Sequence, residues 1–278
     1  MFVAAPAGKD TNGYAFQKIP VKFSVNHIKE IVLKGVTAIE YHGGGQKGVD
    51  GQFDEFHIPI LRIQHGVAKH GLIGKNMVYV SRSHAQFHAG KTFAYNGIPL
   101  NEYTYQDKKL DYYLFLAKVK RSKKGVSEAI SIAKESGIKL IVAGGRRLGS
   151  PHTWFGWHPR IKPVGFVNGD YKKQLLSGAR ALIVPIRWEE PFGLSMIEAM
   201  ASGTPVIAYN RGAVPEVVEH GVTGFVCNTR EEMIEAIRHI GDIDPMQCRV
   251  RTETLFSDMI MAKKHLELIH QVRAGNSW

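Results

Sequence analysis

From about residue 110 onward, short runs that are apolar at every position alternate with amphipathic segments, and few folds accommodate that alternation. Tyr112 to Ala117 reads as a buried strand, after which Val126, Ala129, Ile130 and Ala133 recur at helical spacing. Strand-like Leu140 to Ala143, Pro163 to Val167, Ala181 to Pro185 and Pro205 to Ala208 follow, interleaved with helix-like Tyr171 to Ser177, Leu194 to Ala201 and Glu231 to Ile240. A strand that is apolar throughout must be covered on both faces, and the intervening helices supply the cover. The pattern therefore implies a parallel, doubly wound α/β sheet. Ligands of such sheets bind in the crevice beyond the carboxyl ends of the strands.

The first hundred residues carry the same signal more faintly. Lys29 to Lys34 reads as a short helix, and Val36 to Tyr41, Ile58 to Ile63 and Met77 to Val80 read as strands, with Gly43 to Gly48 as loop material. The polar stretch Tyr105 to Lys109 marks a boundary. It gives a first lobe at 1–105, a second at 106–253, and a last helix at about Thr254 to Arg273 within a terminal segment 254–278. At 278 residues the chain exceeds the size at which one core tends to split. Two α/β lobes facing a cleft are expected, the first of them reduced.

Composition removes several classes. An apolar fraction of 44% with 22% charged residues belongs to a packed protein rather than a disordered one. No apolar run approaches bilayer-spanning length, and Met1 to Pro6 lacks the basic leader of a signal peptide, so a cytoplasmic setting is expected. Two cysteines, Cys227 and Cys248, are too few for a disulfide framework or a cysteine-based zinc site. No histidine cluster with convincing ligand spacing stands out; His152 and His158 flank Trp154 and Trp157 without a Cys or carboxylate beside them. No metal site is expected. The formal net charge of +11 calls for an anionic partner or a solvated cationic surface, and its densest cluster is Lys118, Lys120, Arg121, Lys123 and Lys124.

The stretch Trp188 to Pro205 carries the most chemistry. Glu190 precedes Pro191, which disfavours helical geometry, so it belongs to the loop leaving the strand Ala181 to Pro185. The helix starts near Phe192 or Gly193 and stops at Gly203, which puts Glu198 about a turn and a half inside it. First-turn amides without intrahelical acceptors can bind phosphate oxygens near Gly193 and Leu194, and carboxylates accept hydrogen bonds from paired sugar hydroxyls. Read alone, both glutamates would more readily be helix-terminus and surface charges than ligands of a sugar.

These residues resemble the retaining glycosyltransferases of the GT-B fold, specifically the GT4 family. Glu190 and Glu198 match its E-x7-E motif within a segment close to the family's usual wording. Gly212 to Val218 and Gly221 to Val226 match the next two blocks in order and spacing, and the resemblance runs from about Tyr112 to Ile240. It implies that Glu198 holds the ribose hydroxyls of a UDP- or GDP-sugar and Glu190 the hydroxyls of the donor sugar. Phe192, Gly193 and Leu194 would offer backbone amides, and Gly165 to Val167 would border the base. The family places an Arg and a Lys after the first strand of this lobe, in a G-R…K-G pattern, to neutralise the diphosphate. The Gly-Arg pair is missing from Ala117 to Gly125; Lys124 takes the place of the lysine, and Lys118 or Arg121 that of the other cation.

In the first lobe, Ile63 to Gly66 resembles the family's T-x-H-G, whose histidine approaches the donor sugar, making His65 a candidate. Val80 to Ser83 and Asn96 to Pro99 resemble two further blocks, and Gly8 and Gly13, after a first strand beginning at Phe2, are candidates for close backbone approach. The expected activity is transfer of a sugar, with retention and without a resident cofactor or metal, to an acceptor hydroxyl on a glycan, lipid-linked sugar or small molecule. A nucleotide-sugar-binding protein without catalysis and a DNA-modifying glycosyltransferase are the alternatives. An anionic membrane surface is a further candidate partner, consistent with a peripheral location. Nucleic acid is the weaker one, since no helix-turn-helix, RNA-binding or zinc-finger signature is present. Glycosidase chemistry is disfavoured because Glu190 and Glu198 share one loop-helix unit, whereas an acid and its partner must flank a scissile bond.

Overall fold

The computed structural model describes residues 2–6, 14–18, 38–43, 58–67, 74–145 and 158–278. The expected helix Lys29 to Lys34, the loop Gly44 to Gly48, Gly8, Gly13, His152, Trp154 and Trp157 lie outside them. The chain divides into two compact units, one of residues 1–95 with 261–278 and one of residues 96–260.

In the first unit, β1 (Phe2–Pro6), β2 (Tyr14–Lys18), β3 (Ala38–Gly43), β4 (Ile60–Gln64) and β5 (Met77–Tyr79) form a sheet in the order β2-β1-β3-β4-β5. β3, β4 and β5 run parallel, and β1 runs antiparallel to both of its neighbours. The sheet is therefore mixed, with an antiparallel margin on a parallel centre. Ile39, Leu61, Ile63 and Val78 are buried along that centre. α1 (Arg82–Phe87) is capped by Ser81, whose Oγ accepts the His84 N–H at 3.0 Å. The Trp278 indole N–H donates to the Met77 carbonyl at 2.8 Å, tying the last residue to β5.

The second unit holds β6 (Tyr113–Leu116), α2 (Val126–Glu135), β7 (Leu140–Ala143), β8 (Ile161–Gly165), α3 (Gly169–Gly178), β9 (Leu182–Val184) and α4 (Leu194–Ala201). It continues with β10 (Val206–Tyr209), the short α5 (Val214–Val217), β11 (Gly224–Cys227), α6 (Arg230–His239) and α7 (Pro245–Leu255). The strands form one parallel sheet in the order β11-β10-β9-β6-β7-β8. Leu114, Leu140, Leu182, Val206 and Ile207 are completely buried, which is why the central strands read as unbroken apolar runs. Each such side chain contributes roughly 1.5–3 kcal/mol relative to exposure. Pro163 is accommodated because β8 is an edge strand, and its pairing with β7 is irregular between Val142 and Ala143.

The helix expected from Thr254 to Arg273 is two helices. α7 ends at Leu255, and α8 spans Asp258–Arg273. Between them the Phe256 carbonyl accepts the Ile98 N–H at 3.0 Å, and the Asp258 N–H donates to the Ile98 carbonyl at 3.1 Å. A β-type pairing with residues far away in sequence thus replaces helical hydrogen bonds, while the Phe256 side chain is fully buried. The same contacts carry residues 96–105 into the second unit, ten residues before the polar stretch at Tyr105. The Arg249 guanidinium donates to the carbonyls of Leu100, Tyr103 and Ala201, at 3.4, 3.2 and 2.8 Å.

Candidate functional site

From β6 the six-stranded sheet grows one way through β7 and β8 and the other way through β9, β10 and β11, so the winding reverses between β6 and β9. Loops leaving two such strands diverge and open a crevice at their carboxyl ends. Here the two loops are 117–125 and 185–193, and they touch through their backbones. The Arg187 N–H donates to the Lys123 carbonyl at 3.2 Å. Gly125 has φ +80°, and a Cβ there would run into the Pro185 carbonyl, so no other residue fits without displacing one loop.

The apposition brings Lys124 to Glu190. Its ammonium lies 2.5 Å from Glu190 Oε2, which also accepts the Trp188 indole N–H at 3.0 Å. Lys123 Nζ stands 3.4 Å over the centre of the Trp188 ring. Desolvation, then the neighbouring Arg121 and Lys124 charges, lower the Lys123 pKa. The Glu190 main chain is held from the next block: its carbonyl accepts the Ala213 N–H at 2.9 Å, while Glu189 takes the Gly212 N–H at 2.7 Å. Lys118 and Arg121 stay exposed on the loop.

α4 begins after Gly193 with no side-chain cap and no acidic residue in its first turn. Apart from the Met196 N–H, which donates to the Gly193 carbonyl at 2.9 Å, its opening amides are left for an anion or hydroxyl acceptor. Phe192 is buried edge-to-face on Phe256, with ring centres 5.7 Å apart, whereas Leu194 is half exposed. One turn further, Glu198 Oε1 accepts from Lys172 Nζ at 2.7 Å and from the Tyr103 hydroxyl at 3.1 Å. Burial, then the Glu198 charge, raise the Tyr103 pKa. Gly165 ends β8 at φ +81° with its carbonyl taken by the Gly144 N–H at 2.7 Å; Phe166 beyond it is 79% exposed and Val167 buried.

A neighbouring cavity of about 700 Å3 is lined by Glu128, Arg187, Tyr209, Arg211, Asn228 and Arg230 among others. Glu128, in the first turn of α2, takes hydrogen bonds from Arg187, Tyr209 and Arg230 at 2.6–2.9 Å. Those bonds, the one from Arg230 foremost, hold its carboxyl at about 2 against the opposing effect of burial.

His65 lies in the first unit, just past the end of β4. Its Nε2 is 2.8 Å from His42 Nδ1, His42 Nε2 is 2.7 Å from Glu40 Oε1, and the same oxygen is 2.8 Å from His265 Nδ1. Desolvation, followed by the His42 and His265 charges, lowers the His65 pKa to about 4. Burial opposes ionisation of Glu40, yet the hydrogen bonds from His265 and His42 draw it down to about 2.

Sequence reasoning missed Lys172, Tyr103, Trp188, Glu40, His42 and His265 as partners. Trp188 adjoined the motif; the others carry no local signal, because each reaches its partner from a separate element. Among the described residues, no group of three or more His, Cys, Asp or Glu side chains is arranged to hold a metal ion.

Comparison with known proteins agrees with this architecture. The uncharacterized glycosyltransferase MJ1607 of Methanocaldococcus jannaschii is 40% identical over 70 residues, 25% of this chain and 18% of that protein. The glycogen synthase of Mycobacterium tuberculosis is 37% identical over 90 residues, 32% of this chain and 21% of the synthase. The aligned part is thus about a fifth of either relative. AviGT4, a glycosyltransferase involved in avilamycin A biosynthesis, superposes with a TM-score of 0.76 at 22% identity, covering 91% of this chain and 80% of its own. Anabaena Alr3699/HepE in complex with UDP and glucose gives 0.71 at 16%, covering 88% and 81%. The fold is that of the GT-B glycosyltransferases. Residues 104–253, more than half of the chain, match the model of the glycosyl transferases group 1 family, and to that family the chain belongs.

Proposed function

We propose that the chain transfers a hexose from a UDP- or GDP-sugar to an acceptor hydroxyl with retention of configuration, as a member of the GT4 branch. The observation that carries the reading is the pairing of two carboxylates with two lysines around an uncapped helix start at the switch point: Lys124 with Glu190 and Lys172 with Glu198. HepE, crystallised with UDP-glucose, is a fold neighbour and supports the choice of donor class.

In this reading Glu198 accepts hydrogen bonds from the ribose hydroxyls and Glu190 from hydroxyls of the donor sugar. Lys124, with Arg121 or Lys118, and the amides at Phe192, Gly193 and Leu194 hold the diphosphate. The backbone of Gly165 to Val167 borders the base, and His65 approaches the donor sugar. The bond from the anomeric carbon to the diphosphate breaks, the acceptor oxygen bonds that carbon on the same face, and the acceptor's proton passes to the departing diphosphate. Negative charge grows on the leaving group as this proceeds. Cations and dipoles already in place stabilise it more in the transition state than in the ground state, without recourse to a divalent metal. The acceptor is a glycan, a lipid-linked sugar or a small molecule, met in the cytoplasm or at the surface of its membrane. No helix among the described residues is long and apolar enough to cross a membrane.

The test is turnover of UDP- and GDP-sugars by the purified chain, following both transfer and slow donor hydrolysis. Loss of turnover in Glu198→Ala supports the reading. Full activity in that variant overturns the site, and calorimetric donor binding without any transfer or hydrolysis overturns the catalysis.

A further inference from the structure

The Glu40, His42, His65 and His265 side chains form a continuous hydrogen-bonded line from the interior of the first unit to an exposed imidazole. Glu40 is 4% exposed and His265 7%, whereas His65 is exposed. A carboxylate only accepts, so Glu40 Oε1 requires a proton on His42 Nε2 and another on His265 Nδ1. With His42 neutral, its Nδ1 carries a lone pair, and His65 Nε2 supplies the proton between them. The ring geometry agrees: the His42 and His65 planes differ by 15° and their centres lie 5.1 Å apart, the separation that an edge-to-edge N–H···N bond gives. The remaining His65 nitrogen, Nδ1, is left with a lone pair and has no partner among the described residues.

We propose that Glu40, acting through His42 and steadied by His265, fixes His65 in the Nε2–H tautomer, so that Nδ1 stands as a permanent hydrogen-bond acceptor for a hydroxyl of the sugar substrate. Glu40 and His42 are positioning residues in this scheme, and only His65 would touch substrate. The role toward substrate rests on the functional reading above, whereas the tautomer is a property of the protein alone. Burying a carboxylate beneath two imidazoles is costly unless each bond is made, and a histidine needed only for packing would not require such a line. The lowered His65 pKa keeps the ring neutral at pH 7, as an acceptor must be. His84, another titratable ring close by, gives its Nε2 to the Gly66 carbonyl at 3.2 Å and takes no part in the line.

Long-range proton–nitrogen correlation spectra of the full chain, labelled with 15N-histidine and recorded without ligand at pH 7.5, read the tautomer directly. The expected result is a pyrrole-type Nε2 and a pyridine-type Nδ1 for His65, assigned by the loss of that signal in His65→Gln. In Glu40→Gln and His42→Phe the preference should collapse toward a mixture of tautomers. A proton on His65 Nδ1, an imidazolium at His42, or a preference unchanged in both variants would overturn the relay. With any donor the wild-type chain turns over, Glu40→Gln should lower kcat about tenfold, the loss of roughly one hydrogen bond, with KM for the donor within about twofold. Glu40→Asp should recover part of that loss. An unchanged kcat in Glu40→Gln would overturn the positioning role. Absence of turnover by the wild type would count against the functional reading alone, with the imidazole signals still deciding the relay.

Discussion

Glu128 and Glu198 both sit on helices that follow strands of the parallel sheet, and both accept hydrogen bonds from basic side chains, yet they are held in different ways. Glu128 is gripped by two guanidinium groups and a tyrosine from three separate elements, with both of its oxygens occupied. Glu198 receives one ammonium and one hydroxyl on a single oxygen, and Glu190 one ammonium and one indole N–H on a single oxygen. A planar guanidinium commits a carboxylate to a fixed geometry, whereas a lysine is a point charge on a flexible stem that can follow a different anion. In the proposed reading, the contrast separates a carboxylate that ties the domain together from two that exchange partners when a ligand arrives.

The sharpest way to break this contrast is to remove Glu198. Glu198→Ala should cut kcat/KM for the donor by about a hundredfold or more, the worth of two hydrogen bonds to a charged acceptor, while urea unfolding shifts by less than about 1 kcal/mol. A large loss of stability would place Glu198 with Glu128 instead. Glu128→Ala should show the opposite profile. Unfolding free energy should fall by about 1–2 kcal/mol, discounted from a buried pair because both arginines are partly exposed, with turnover per folded molecule unchanged.

Acid unfolding sharpens the same point. The Glu128 pKa is depressed in the folded state to about 2 from 4.5, so the native form binds fewer protons. The contribution to stability is complete above about pH 4.5 and is lost as pH falls toward 2. Glu40 follows the same sign, so the diagnostic is a difference: Glu128→Gln should flatten the pH dependence of stability across that window relative to wild type, and equal slopes would contradict the assignment. The smallest effect belongs to Lys172→Met, which should leave stability within about 1 kcal/mol and raise donor KM a few-fold.

Much of the second unit was legible because its central strands are buried on both faces. The helix Leu194–Ala201 matches its sequence reading end for end, since Gly193 and Gly203, both at positive φ, mark its limits. The first unit was harder. The direction of β1 relative to β3 depends on backbone pairing that apolar periodicity does not encode. The interruption at Phe256 was hidden because its cause is Ile98, a partner far away in the chain. The motif glutamates could be named from their spacing, but Lys172 and Tyr103 could not, because each comes from an element whose own pattern reports only packing or loop. The relay to His65 was invisible for the same reason, its members being scattered over β3, the end of β4 and α8.

The close fit of Gly125 against the Pro185 carbonyl has a dynamic corollary. Two segments that meet main chain to main chain cannot swing apart independently, so the floor beneath Lys124 and Glu190 shifts as a single plate. Adjustment to a differently shaped ligand would then fall to the tips of Lys123, Lys124 and Trp188, side-chain rotations far quicker than the opening of a flap.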